Sequence, residues 1–392
     1  MSRRKTAITL EQYPPHVGME SLSLVYRPGI SKHAQISSVL RKNIRQGVLS
    51  AGQKLQPERE LAGIFGCSTM TVRQALEQLM REGLIAREVG RGTFVREARP
   101  PGAAVVFDFE VFTPYQTHYY ACLVGELQSH FKSRGWECGY YGDVTEGANA
   151  QEFEDAISAR RFDGVVVSSK WIAAHDLKRL READMQHVGV YPMPGLDYWV
   201  AYDMTSLGWR GAAALAEMGR KRVALIHQFI EYQATGDPVW GFETALLRTN
   251  VPVDRSLMRE TSYSEESGYR AFLGLWAENP RPDGIVVTDE FVMRGVLRGM
   301  IELGTCDPEQ LMVASHTSMD DCEYPFPVPV IQLRSSPAIQ AQTISRMLID
   351  LVEDTPVERP KVLLQPTVYN PFIGAEPSLH DSNDAPSPRD CE

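Results

Sequence analysis

The chain has 392 residues, of which 43% are hydrophobic and 23% charged, and a formal net charge of −10. That length suits two or three domains with a sizeable core. No apolar run approaches the ~18 residues of a membrane span, and the opening "MSRRKTAITLEQYPPH" lacks the apolar centre of a secretory signal, so a cytoplasmic protein without membrane contact is expected. The six cysteines (67, 122, 138, 306, 322 and 391) show no C-x-x-C spacing and no pairing with histidines, which argues for free thiols and against a metal site.

Residues 1–29 form a polar, proline-containing extension. In "LQPERELAGIFGCS" Pro57 suits the first position of a short helix, Glu58 and Glu60 favour its positive end, and Leu61, Ile64 and Phe65 make the buried side. After Gly66 and Cys67, Ser68 is placed to cap a second helix over 69–82 by accepting a bond from the amide of Met70 or Thr71. Val72, Ala75, Leu76 and Leu79 fall at i, i+3, i+4 and i+7 and form its apolar stripe, and Gly83 suits the residue past its end. Two short helices joined in this way make a helix-turn-helix, whose second helix can enter a DNA major groove with its N-terminal residues nearest the bases. Ser68, Thr69, Met70, Thr71 and Arg73 are the candidates for that contact; the alternative use of Arg73 is an ion pair with Glu77, one turn on.

Two β-prone stretches, 84–88 and 93–96, flank Gly90-Arg91-Gly92 and read as a hairpin wing. The glycines allow a tight turn and close approach to a duplex, so Arg91 could reach a minor groove or a phosphate; the plainer reading is a solvated surface hairpin.

Residues 34–95 closely resemble the winged helix-turn-helix of GntR-family bacterial transcription factors. The resemblance rests on Gly47, Leu49, Gly52 and Leu55, on "ERELA", "TVRQAL" and "GRGTFV", and on the "EGLI" between them. It implies DNA contacts by Arg59 at phosphates, by the start of the second helix, by Arg73, and by the wing around Arg91 and Gly92. The family often has arginine after the capping serine; this chain has Thr69-Met70, which could contact thymine methyl groups instead. Residues 1–99 carry 16 Lys and Arg against 8 Asp and Glu, whereas the rest of the chain carries 24 against 42. A basic head able to grip phosphate is thus joined to an acidic body that DNA would repel.

The boundaries expected are a DNA-binding domain over 30–97, a linker over 98–103, an effector-binding and dimerisation domain over 104–375, and a disordered tail over 376–392. Within 104–375, "FDGVVVSS" at 162–169 is echoed by "PDGIVVTD" at 282–289, and "AAVVFDF" at 103–109 by "RVALIHQ" at 222–228. The latter two strands precede amphipathic helices over 119–134 and 239–248. Buried strands alternating with helices, repeated twice, predict an α/β fold of two parallel-sheet subdomains. In such sheets ligands sit beyond the carboxyl ends of the strands, which places a cleft between the two sets of tips. Those tips offer Asp108, Tyr115, Ser168, Ser169 and Trp171 from the first half, and Gln228, Trp240, Asp289 and His316 from the second. Rings, carboxylates and hydroxyls together suit a sugar-like effector. Each also has a structural use: Asp289 could cap the helix that follows it, Trp240 could be core, and the serines could be loop residues.

This region resembles, more loosely, the effector domain of the LacI/GalR family, which has the type I periplasmic-binding-protein fold. "YDMTSLGWRGAAALAEMGRKRVALI", "WGFETAL", "RPDGIVVTDEFVMRGVLRGMIELG" and "PVIQLRSSPAIQAQTISRML" carry the likeness. It implies a ligand-binding role for Asp289. Pro238 stands where that family usually has a ligand-contacting arginine, Thr288 replaces the usual asparagine, and "ASHTSMDD" departs from the family pattern.

The whole predicts a DNA-binding regulator, acting as a repressor and homodimer on a double-stranded operator, with affinity controlled by a small sugar-like effector. The alternative is a constitutive DNA-binding repressor whose cleft is vestigial. No H-E-x-x-H, G-x-S-x-G or G-x-x-x-x-G-K-[ST] motif is present, so no catalytic residue, metal or cofactor is expected.

Overall fold

The computed structural model describes residues 26, 31–96, 99–107, 117–144, 147–168, 174–228, 235–318 and 328–373. The head comprises α1 (Lys32–Arg45), α2 (Glu58–Ile64), α3 (Thr69–Arg81) and an antiparallel hairpin of β1 (Ile85–Glu88) and β2 (Gly92–Val95). The apolar stripe of α3 is fully buried against Ile36 and Leu40 of α1 and Leu61 of α2, which fixes which face of α3 is left outside. The Ser68 cap is made to the Thr71 amide at 3.2 Å. Two expectations change. Pro57 is the cap of α2 rather than its first residue, and Ile64 is 40% exposed, because the seven-residue helix buries only Leu61 and Ala62 and leaves Phe65 beyond its end to fill the core.

The remaining chain builds two six-stranded sheets. The first contains β3 (Gly102–Phe107), β4 (Glu137–Gly142), β5 (Gly164–Val167), β6 (Gln186–Gly189), β7 (Trp199–Tyr202) and, from far along the chain, β13 (Lys361–Leu364). Helices α4 (Thr117–Ser133), α5 (Gly147–Ser158) and α6 (Ala174–Glu182) connect its strands. The second contains β8 (Val223–Gln228), β9 (Met258–Thr261), β10 (Gly284–Val287), β11 (Met312–Thr317), β12 (Ile331–Arg334) and β14 (Thr367–Tyr369). Its helices are α7 (Met204–Glu217), α8 (Pro238–Arg248), α9 (Glu265–Trp276) and α10 (Glu290–Glu302), and α11 (Pro337–Val352) follows β12.

The orders β13-β7-β6-β5-β3-β4 and β14-β12-β11-β10-β8-β9 are the same arrangement twice, and the paired strands β5 and β10 carry the "DGVVV" and "DGIVV" echo. Every described pairing within these two sheets is parallel except β12 with β14. All-apolar strands such as β3 and β5 are buried along their whole length, as a sheet covered on both faces requires.

The chain passes between the sheets three times. It leaves β7 for α7, which packs on β10, β11 and β12; it leaves β12 for α11, which packs on α4 and β5 to β7; and it leaves β13 for β14. Asp203 ties two of these crossings together. Its amide donates to Leu364 O at 2.9 Å, Gln365 Nε2 donates to its Oδ2 at 3.0 Å, and its Oδ1 caps α7 through the Thr205 and Ser206 amides. Tyr202 OH reaches the third crossing by donating to Ser336 O at 2.9 Å.

Helices α7 and α8 cross at backbone contact. A Cβ on Gly208 would lie 2.0 Å from Pro238 O, and one on Gly241 would lie 2.0 Å from Thr205 O. Pro238 is therefore buried at the start of α8, against α7. Replacing Gly208 by Ala should lower the free energy of unfolding by roughly 1–3 kcal/mol, because the rigid backbone must move apart. A denaturant midpoint equal to that of the unaltered protein would show that α8 can slide without loss.

Candidate DNA-reading surface and effector cleft

On the head, the outer face of α3 begins with Ser68, Thr69 and Met70, all exposed, with Met70 at 57%. Thr71 is half-buried, and its hydroxyl sits 2.8 Å from that of Ser68, so this pair rigidifies the helix start. Arg59 is exposed on α2.

Arg73 does not pair with Glu77. Its Nε and Nη2 donate to Glu58 Oε2 at 3.0 and 2.8 Å, because packing of α2 on α3 brings the first residue of α2 across the helix. The same carboxylate receives Arg87 from the wing strand β1. The hydrogen bond from Arg73 holds the Glu58 carboxyl below its usual range, so it stays charged and both guanidiniums are aimed from one point. At the wing tip Arg91 pairs with Glu88 and lies 5.5 Å from the centre of the Phe94 ring, while Gly92, at φ 122°, adopts a conformation that disfavours a side chain. Glu58 and Arg87 carry no motif of their own, and only the three-dimensional crossing of α2 and α3 reveals them.

On the sensor, parallel strands put every tip of interest at a carboxyl end. Asp108, Tyr115, Ser169 and Trp171 lie outside the described residues. The five other tip residues, Ser168 among them, differ in what they offer. Gln228 is buried and its amide is engaged, accepting from Thr288 Oγ1 at 2.9 Å and donating to Thr261 Oγ1 at 3.2 Å. Trp240 is half-buried on α8, outside the two core clusters of its subdomain. Asp289 caps α10, its Oδ1 accepting from the Phe291 and Val292 amides at 2.9 and 3.0 Å; among the described residues its Oδ2 has no hydrogen-bond donor. Burial raises its carboxyl and depresses the neighbouring His316 imidazole, which therefore stays neutral.

Three buried polar atoms at strand carboxyl ends have no hydrogen-bond partner among the described residues: His316 Nδ1, Thr317 Oγ1 and Ser335 Oγ. Ser168 Oγ and Tyr191 OH form no well-aligned hydrogen bond, but Tyr191 lies close enough to Tyr120 and Ser168 for both to act on its phenol. Interiors rarely leave such atoms unsatisfied, and a ligand cleft is where they occur for a reason. Around them the structure adds tyrosines that carry no sequence motif. Tyr120 of α4 meets Tyr191 edge-on, with centroids 5.9 Å apart, and its phenol feels the charges of Tyr263 and Asp289 from the second subdomain. Burial pushes the Tyr120, Tyr191 and Tyr263 phenols up, so all three remain neutral donors. Glu290 is buried next to Asp289, and its Oε2 is taken up by Ser318, which donates to it through both its amide, at 3.1 Å, and its hydroxyl.

Residues 32–95 match the family of bacterial regulatory proteins called gntR, and residues 212–370 match the periplasmic binding protein-like domain. The HTH-type transcriptional repressor NagR of Bacillus subtilis is 49% identical over 65 residues, 17% of this chain and 27% of that protein. The arabinose metabolism transcriptional repressor of Halalkalibacterium halodurans is 24% identical over 142 residues, 35% of this chain and 38% of that protein. The chain thus spans less than two-fifths of the length of these two relatives. The HTH-type transcriptional repressor PurR of Actinobacillus pleuropneumoniae is 20% identical over 338 residues, covering 80% of this chain and 98% of that protein. Among solved structures, a complex of the transcriptional regulator CelR with cellobiose shares the fold with a TM-score of 0.56 at 19% identity, covering 79% of this chain and 93% of that one.

Fold and site together define a class: a winged helix-turn-helix carried on a two-subdomain cleft domain. Within it, residues 32–95 of this chain are similar to the gntR-family regulatory proteins and residues 212–370 to the periplasmic binding protein-like domain.

The Tyr191 hydroxyl, near Tyr120 and Ser168 but without a well-aligned hydrogen bond, provides a direct check. Tyr191→Phe should leave the unfolding free energy within about 0.5 kcal/mol of the unaltered protein, or raise it, since removing an unsatisfied hydroxyl removes a penalty. A loss above about 1 kcal/mol in urea unfolding would mean that the hydroxyl is bonded inside the protein.

Proposed function

We propose that the protein is a sequence-specific transcriptional repressor whose hold on its operator is set by a small sugar-like molecule bound between the two subdomains. The observation that carries this reading is the group of buried polar atoms at the strand tips without partners among the described residues, with Asp289 Oδ2, to which no described residue donates, and three neutral tyrosines from both subdomains. Hydroxyl groups of a polyol can both donate to Asp289 Oδ2 and accept from the phenols, and rings can cover its apolar faces. The arabinose-metabolism and cellobiose associations of similar proteins support the same class of ligand.

On the head, Arg73 and the residues Ser68 to Thr71 read bases, while Arg59, Arg91 and Gly92 contact the backbone or the minor groove. The protein acts in the cytoplasm as a homodimer, so that two heads engage a two-fold operator about one helical turn apart. Among the described residues no helix is long and apolar enough to cross a membrane. Ligand that closes the cleft changes the relation of the two heads, and a coupling of about 1–3 kcal/mol alters operator affinity about 5- to 150-fold.

The test is fluorescence anisotropy with DNA from the protein's own upstream region, titrated with pentoses, hexoses and disaccharides that raise its melting temperature. A compound that both stabilises the protein and shifts DNA affinity fits a ligand-controlled repressor; tight DNA binding that no stabilising compound changes would favour a constitutive one. Arg73→Ala should weaken operator binding by about 1–3 kcal/mol more than binding to random DNA. An equal loss on both would reduce Arg73 to a phosphate contact.

A further inference from the structure

The head docks on the first subdomain through buried ion pairs. Arg41 of α1 grips Glu82 in two hydrogen bonds of 2.8 and 2.7 Å, Arg160 lies 3.9 Å from the same carboxylate, and Arg45 and Arg99 share Asp163. Asp163 also accepts from the Gly102 amide at 2.9 Å, where the chain enters β3.

Beside these pairs the two parts enclose a cavity of about 340 Å³. Lys42 and Arg45 of α1, Arg99 and the two prolines after it, Arg134, Trp136 and Glu353 line it. Arg99 leads into β3 and Trp136 into β4, so the cavity lies at the amino ends of the first sheet, at the opposite edge from the strand tips of the cleft. Its charge is unbalanced. Arg45 and Arg99 have one carboxylate between them, and among the described residues neither Lys42 nor Arg134 has an ion-pair partner. Four cations and one carboxylate, Glu353, line it; counting also Asp163, which pairs with Arg45 and Arg99 from outside the lining, the balance is an excess of two positive charges in a partly enclosed space. Burial pushes the Arg45 guanidinium down even though Asp163 pairs with it. Trp136 and the prolines add an apolar wall.

We propose that this junction cavity is a second ligand site, separate from the cleft, for a small organic anion bearing a phosphate group. A doubly charged phosphate matches the excess charge, and guanidiniums grip it in charge-assisted bonds. The volume is that of small-molecule pockets, about 300–1,000 Å³, and walls from both the head and the sensor keep a rigid duplex out. An anion seated there competes with Asp163 for Arg45 and Arg99, so it acts on the docking of the head itself.

The experiment is calorimetric titration of the full chain, without DNA and at constant ionic strength, with inorganic pyrophosphate and with glucose 6-phosphate, using glucose as the uncharged counterpart. Lys42→Ala/Arg134→Ala removes the two unpaired cations and leaves the Arg45–Asp163–Arg99 group intact; Asp289→Asn alters only the cleft. The expected result is saturable binding of a phosphate that weakens at least about tenfold in the double variant, a loss of about 1.4 kcal/mol, and persists in Asp289→Asn. If the double variant is less stable, Lys42→Gln alone carries the test, with a several-fold loss expected. Absence of saturable phosphate binding, binding that glucose matches, or binding lost in Asp289→Asn but kept in the double variant overturns the proposal. So does a double variant that loses DNA affinity while no phosphate binds, which would make the cavity a DNA-backbone contact.

Discussion

Where the chain first leaves one sheet for the other, the carboxylate of Asp203 caps a helix of the second subdomain and accepts from Gln365 at the third crossing. Three thin connections are all that join the two sheets along the chain, and Asp203 and Tyr202 tie them to one another. Each subdomain has its own packed cores, and the described bonds at these crossings lie at that pivot rather than between the strand tips. A hinge of this kind converts a small ligand between the tips into a rotation of whole domains.

The head rides on one side of that hinge. Every ion pair between head and sensor among the described residues ends on the first subdomain, at Arg160 and Asp163. Burying these charges contributes little net stability compared with an apolar contact of similar size, but each is costly to break, so they fix one orientation of the head. In the proposed function, closure moves the second subdomain relative to a head fixed on the first. In a dimer, any contact made by the second subdomains would transmit that motion as a change in the spacing of the two heads.

Much of this architecture is legible in the sequence. The stripe Val72, Ala75, Leu76 and Leu79 settles which face of α3 turns outward, because a buried helix face repeats every three to four residues. The echo of 162–169 in 282–289 discloses two subdomains because equivalent buried strands need the same apolar runs. The site is less legible. Asp289 is readable as a cap and as a strand-tip carboxylate, and it stands in both positions. Tyr120, Tyr191 and Tyr263 are not, since they come from three elements scattered over 144 residues and converge only through strand order. Arg73 is found by position, yet its partner Glu58 lies fifteen residues back, at a contact set by helix crossing rather than by one helix's own spacing. The three crossings leave no periodic trace, because a helix with one buried face has the same spacing whichever sheet it packs on, as α7 and α11 do on different sheets.

The late arrival of α11 and β13 in the first subdomain also bears on how the protein is made. A ribosome delivers the head in its first quarter, with all the residues of its core, so that part can fold while the rest is still being synthesised. The first sheet, by contrast, waits for β13 at Lys361–Leu364, and the helix that covers it, with Gln340 bonded to Val190 O and Val200 O, comes only after nearly the whole second sheet. Its apolar strands thus lack their last partners until late in synthesis, and a chain cut short before about residue 337 leaves the head attached to a sheet that cannot close. Folding of the first subdomain is therefore a matter of residues 337–364 as much as of the strands that start it.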